Sequence, residues 1–242
     1  MLILTREKMV WLVNIWAILA ALIFLVPNAF GSDILYVVGR NHLRPSDRVV
    51  VHHLEKRGFK VDIKTDEEVE CQDANTKDLI IISESVLAIQ LGPKFCDVAV
   101  PIICSEPWLF DDFGMTGGET FADYGRKKRQ KNIVVFDTQH PLTAALSGEV
   151  EVSSKCFYMG WGNPGKNAIR IAELEQDHDK CPIFAYESGV AMPGQIAPAR
   201  RVGFFMFKNS AKTFTEQGWA LYDAVVDWAV GKNNKDIQAM PS

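Results

Sequence analysis

Leu79-Ile80-Ile81-Ile82-Ser83 is an unbroken aliphatic run that ends in a polar turn, Ser83-Glu84-Ser85. Four large aliphatic residues in succession suit a strand buried on both faces, which is the situation of a parallel sheet covered on two sides. The flanking sequence repeats the pattern. Ile34–Gly39, Val98–Cys104 and Ile133–Asp137 are further β-rich runs. Pro45 to Gly58 places Val49, Val50, His53, Leu54 and Arg57 at helical spacing, with Gly58 as the stop signal. Phe59–Thr65 alternates apolar with charged residues and predicts a strand near a sheet edge. Ser85–Gly92 predicts a short helix. This strand–helix–strand rhythm specifies an α/β fold with a parallel sheet covered by helices.

The second half reads differently. Val150–Ser153, Cys156–Trp161, Ala168–Leu174, Pro182–Tyr186 and Arg201–Phe207 follow one another at spacings too short for crossover helices. Part of this half should therefore be antiparallel. A last helix carries Trp219, Leu221, Tyr222, Val225, Val226 and Trp228 on one face. Thr213 and Glu216 are expected to form its capping box, and Gly231 to stop it. Without an internal repeat or low-complexity linker, residues 32–231 read as one domain and Lys232–Ser242 as a polar tail.

The chain has 242 residues, 48% of them hydrophobic and 23% charged, which excludes a wholly disordered or fibrous protein. A net charge of −4 provides no overall attraction to nucleic acid. Met9 to Val26 is apolar apart from Asn14, follows Arg6 and Lys8, and leads to Ala29 and Gly31. Residues 1–31 thus read as a secretory signal cut after Gly31, with an uncleaved N-terminal anchor as the alternative. Either reading puts the remaining chain outside the cytoplasm, with membrane contact only through this segment. Cys71, Cys96, Cys104, Cys156 and Cys181 all follow it. In an oxidising compartment four could pair. Cys156 and Cys181 are the expected pair, because they flank segments read as neighbouring strands, and Cys104 is expected to be buried and reduced.

Ligands of an open parallel sheet bind beyond the carboxyl ends of its strands. Three such ends are polar here: Gly39-Arg40-Asn41-His42, Ser83-Glu84-Ser85 and Cys104-Ser105-Glu106-Pro107-Trp108. If the strands are neighbours, Arg40, Asn41, Ser83, Ser85, Glu106 and Trp108 form a crevice for a small polar ligand, a carbohydrate or a protein partner; otherwise they are ordinary polar turns. Pro107 forces Glu106 out of helical geometry, which should hold its carboxylate near the strand ends. Glu106 could instead pair with Arg40 or cap a local turn. Cys104 and Glu106 are the weak catalytic candidates. Cys104 lacks the small flanking residues of a nucleophile elbow and an evident base, and Glu106 would raise its pKa. Asp111-Asp112 lacks a third metal ligand, and neither Cys-x-x-Cys nor His-Glu-x-x-His occurs. No metal or cofactor is expected. Arg126-Lys127-Lys128-Arg129 reads as a solvated loop, with an acidic partner or a processing protease as alternatives.

Three longer segments carry a resemblance: Val100 to Thr116 (VPIICSEPWLFDDFGMT), His140 to Gly148 (HPLTAALSG), and Ile183 to Gly189 (IFAYESG) followed by Ala197 to Phe205 (APARRVGFF). Together they resemble a group of exported domains within the class I glutamine amidotransferase-like fold, distantly related to ThuA-like proteins. The resemblance spans about Ile34 to Gly231. It implies a flavodoxin-like three-layer sandwich. It does not carry over the amidotransferase triad: Cys104 lacks the glycines of that family's elbow, and no His-x-Glu pair stands in the C-terminal half. Lys208-Asn209 also replaces the Gly-His pair that ThuA-like proteins place after the corresponding strand. The resemblance therefore implies a fold without deciding an activity.

Overall fold

The structure is a computed structural model and describes residues 32–39, 43–136 and 138–231. Its centre is a nine-stranded sheet in the order β2-β1-β3-β4-β11-β10-β9-β6-β7. One half comprises β1 (Asp33–Val38), β2 (Lys60–Thr65), β3 (Leu79–Ile82), β4 (Ile102–Cys104) and β11 (Arg201–Phe204). All neighbours in this half run parallel. The other half comprises β6 (Asn132–Val135), β7 (Gly148–Glu151), β9 (Ile169–Glu173) and β10 (Ile183–Tyr186), and all its pairings are antiparallel. The expected α/β fold with a parallel first half and an added antiparallel part is the one observed. β2 is the edge strand that its alternation predicts.

Strand periodicity explains the layers. Ile34, Tyr36 and Val38 point into one core, whereas Leu35 and Val37 point into the other. Leu79 and Ile81 likewise oppose Ile80 and Ile82. The first core is covered by two helices, α1 (Pro45–Lys56) and a longer C-terminal one described below. The second is covered by α2 (Ala88–Leu91), a single turn, together with irregular chain bearing Val69, Phe95, Phe110 and Phe113. The C-terminal helix, α3 (Glu216–Ala229), is capped by Thr215, whose hydroxyl accepts from Gly218 N at 3.1 Å. The sequence placed the cap at Thr213. That residue instead donates to Ser210 O and bonds Ser153, closing the preceding turn.

The basic run is also corrected. Residues Tyr124–Gln130 form β5, not a loop, and pair antiparallel with β8 (Phe157–Gly162) in a separate two-stranded ribbon. This ribbon reaches the carboxyl ends of the parallel strands: Gly160 N donates to Phe205 O, just past β11.

All five cysteines are free, so the expected Cys156–Cys181 bond is absent. Their segments are neighbours, but the register separates the residues. Cys181 bridges Gly162 at the far end of β8, while Cys156 precedes its start. Six residues of strand amount to roughly 20 Å at about 3.3 Å per residue, well beyond the ~7 Å a disulfide tolerates between Cα atoms. The Met9–Val26 segment and the Lys232–Ser242 tail lie outside the described residues. Among the described residues, no helix is long and apolar enough to cross a membrane.

Candidate functional site

Because β1, β3, β4 and β11 are parallel neighbours, the chain segments that follow them lie along one edge of the sheet. Ser83 and Ser85, expected to contact ligand, are committed to holding this edge together. Ser83 Oγ donates to Asp47 Oδ1 at 2.5 Å and accepts from Ser85 N at 3.0 Å. Ser85 Oγ accepts from Gly39 N at 3.0 Å. An ideal Cβ on Gly39 would lie 2.0 Å from Ser85 O, so only glycine permits this approach. Asp47 also accepts from Tyr36 OH at 3.1 Å and from Arg44 N at 3.0 Å, which ties the start of α1 to the same network. Arg40 and Asn41 lie outside the described residues.

The residue between the two serines is the one left for chemistry. Glu84 has a side chain only 4% exposed, with Oε1 3.6 Å from Arg44 Nη1. Its Oε2 is buried without a hydrogen-bond partner. Burial raises its pKa, partly offset by Arg44, Arg126 and the Lys208 backbone N–H.

Glu106 follows β4, as expected, and caps the short turn Pro107–Leu109. Its Oε1 accepts from Trp108 N at 3.3 Å. Its Oε2 accepts from Arg126 Nη2 at 2.6 Å. Of the two readings for its partner, pairing with an arginine and capping are both realised, but the arginine is Arg126 of the ribbon. Burial pushes the Glu106 carboxyl up to about 7, opposed by the Arg126 charge and the Trp108 N–H. The guanidinium of Arg126 lies between two rings, 4.5 Å from the Trp108 centroid and 4.0 Å from that of Phe207. Its Nε is buried and has no acceptor. Trp108 thus presents a face to Arg126 and makes T-shaped contacts with Phe121 and Tyr124. Arg126 and Glu84 are the members that sequence reading missed as site residues. Charge density disguised the first, and Glu84 sat unselected inside a turn already singled out.

Cys104 does not fit a nucleophile's role. It is fully buried in the second core, and its thiol donates to Glu106 O at 3.4 Å. Burial drives its pKa far above the ordinary thiol range, so the reactive thiolate is suppressed. The turn after β4 also lacks the strained backbone of a nucleophile elbow. Glu106 has φ −100°, and among the described residues the left-handed non-glycine ones lie elsewhere, at Phe121, Arg129, Ala144, Ala145, Gln176 and Lys208. Among the described residues, no cluster of three or more His, Cys, Asp or Glu side chains could hold a metal ion.

Solved structures share this architecture. One is a GMP synthase-like protein from Thermoplasma acidophilum, 13% identical, with a TM-score of 0.51 over 86% of this chain and 98% of the other. Another is a glutamine amidotransferase from Thermotoga maritima, 9% identical, with a TM-score of 0.51 over 83% of this chain and 98% of the other. The fold is glutamine amidotransferase-like. At these identities the likeness is one of fold alone. No protein-family model matches the sequence, and no curated protein matches it.

Proposed function

We propose that residues 32–231 form an exported, non-catalytic glutamine amidotransferase-like domain that binds a small polar ligand, a carbohydrate above all, at the strand-end crevice. The segments quoted above resemble exported domains distantly related to ThuA-like proteins. Export rests on the basic residues that precede Met9–Val26.

The observation that carries the binding reading is a matched pair of unfilled groups. Glu84 Oε2 is a buried acceptor and Arg126 Nε a buried donor, both without partners. Buried polar groups are nearly always satisfied, so an orphan of each kind in one crevice marks a place for a bridging group. A hydroxyl can donate to the carboxylate and accept from the guanidinium. A sugar supplies several such hydroxyls, and the Trp108 and Phe207 rings give the crevice apolar walls.

A second reading is a hydrolase in which Glu106 is the general acid or base. Its support is the carboxyl pKa near neutrality, the value that task requires. Cys104 has no part in it, for the reasons above. Thermal melts with a panel of mono- and disaccharides test both readings. Binding predicts a ligand-dependent rise in melting temperature that Glu84→Gln diminishes, with the saccharide recovered unchanged. Consumption of the saccharide by the wild type but not by Glu106→Gln would support the hydrolase. No shift with any saccharide would remove the carbohydrate reading.

A further inference from the structure

The basic run of β5 is only partly absorbed by the strand-end crevice. Arg126 pairs with Glu106, and Lys127 reaches Asp177 at 3.7 Å. Lys128 is exposed and forms no ion pair among the described residues. Its Nζ stands 5.9 Å from the centre of the Tyr158 ring on the neighbouring strand, β8. Tyr158 is 44% exposed and leans on Phe207, with 5.8 Å between centroids. Phe207 is the ring that also carries Arg126, and Lys208 Nζ lies 5.2 Å from its centre. Lys208 is likewise exposed and without an ion pair among the described residues. Lys128, Tyr158, Phe207 and Lys208 thus form a continuous cationic and aromatic rim, and Phe207 joins that rim to the crevice.

The backbone fixes Lys208 at the lip. Its φ is +46°, a left-handed geometry uncommon for a residue with a Cβ and one that collects at ligand sites. The turn around it is closed by Ser210 N donating to Phe207 O at 2.9 Å and by Phe207 N donating to Ser210 Oγ at 3.0 Å. The Lys208 N–H faces Glu84, the buried carboxylate with an unpartnered oxygen. The carboxylates nearby are committed elsewhere. Glu84 faces Arg44 at 3.6 Å, and Glu106 faces Arg126 at 2.6 Å. Asp177 is shared by Lys127 and Lys180. Asp47 is 2% exposed and accepts from Tyr36, Ser83 and Arg44 N. An approaching ligand therefore meets the exposed ammonium groups of Lys128 and Lys208 first.

We propose that this rim makes the crevice selective for acidic saccharides: the carboxylate of a uronic acid unit meets Lys128 and Lys208, while a hydroxyl of the adjoining unit bridges Glu84 and Arg126. The proposal rests on the carbohydrate reading of the crevice and adds the ligand's charge to it. Each ammonium supplies donors to the carboxylate, and the Tyr158 ring gives the C–H side of the charged sugar an apolar surface.

Disaccharides ending in glucuronate, galacturonate or mannuronate are the probes, each beside its methyl ester, which keeps the shape and removes the charge. Calorimetric titration at low salt should show 1:1 binding of at least one acid, at least about tenfold tighter than its ester. High salt should narrow that gap, because the ammonium groups are exposed. The Lys128→Gln/Lys208→Gln double variant should bind the acid no tighter than the ester, with the ester's affinity and the circular dichroism spectrum unchanged. The proposal is overturned if no acid binds tighter than its ester, or if the folded double variant keeps the preference. Esters that bind, weaken in Glu84→Gln and are matched by their acids would overturn this proposal and leave the crevice reading standing. No binding by any acid or ester would remove both. Pentaglutamate that binds through the same lysines while no uronate does would also overturn it, and would assign the rim to an acidic peptide.

Discussion

Arg126 and Glu106 meet at 2.6 Å although they belong to different structural units, one to the β5–β8 ribbon and the other to the turn after β4. The pair pins the ribbon to the carboxyl end of the main sheet. Both partners are mostly buried, with side-chain exposures of 19% and 6%. Removing one leaves the other in a poor environment. Arg126→Met should lower stability at pH 8 by about 3 kcal/mol, because Glu106 then has no counter-charge. At pH 5 the loss should be smaller, since a protonated Glu106 needs none. Urea unfolding at the two pH values checks this, and an equal loss at both would contradict it.

Glu106 also gives stability a specific pH dependence. Its carboxyl titrates near 7 in the folded chain and near 4.3 when unfolded. Between those values the folded chain keeps a proton that the unfolded chain has released, so stability falls as pH rises. The contribution is fully present below about pH 4.3 and gone above about 7, a loss on the order of 3 kcal/mol. Glu106→Gln cannot titrate, so its stability should fall less steeply across this window. Denaturation series at pH 5, 6 and 7 for both proteins give the comparison. Parallel slopes would show that Glu106 ionises normally.

Thiol chemistry tests the register of β8. Native protein should react promptly with a maleimide at exposed Cys71 and Cys156, whereas buried Cys104 and Cys181 should react only after unfolding. A Cys156–Cys181 bond in exported protein would require a shift of about six residues along β8 and would contradict the observed pairing.

The cap of α3 distinguishes two neighbouring residues. Thr215→Ala should cost about 1 kcal/mol through the lost bond to Gly218 N. Glu216→Ala should be nearly neutral, because Glu216 is the first helical residue and not the reciprocal member of a capping box. Chemical denaturation of the two variants separates these outcomes.

The parallel half of the fold was legible because β1, β3 and β4 are buried on both faces, and such strands appear as uninterrupted apolar runs. The ribbon was not. Tyr124–Gln130 is buried at its start, exposed at Lys128 and Arg129, and carries four consecutive cations, so its pattern resembles a loop until its partner strand is known. The same fact hid Arg126, whose charge is neutralised by a residue twenty positions away. Glu106 was legible from Pro107 and from its place at the end of an apolar run. The structural part that Ser83 and Ser85 play was not legible, because small hydroxyls at a strand end serve backbone closure as readily as ligand, and here they bond Asp47 and Gly39. The disulfide failed for want of register: adjacency of two segments does not fix which residues face each other.

The most direct test of the proposed crevice is an NMR titration that follows the Arg126 Nε–H resonance and the side-chain carboxyl carbons of Glu84 and Glu106 as a saccharide from the melt panel is added. The account predicts that all three shift together, saturate at one Kd, and lose that response in Glu84→Gln. A saccharide that binds while leaving these three signals in place would contradict it.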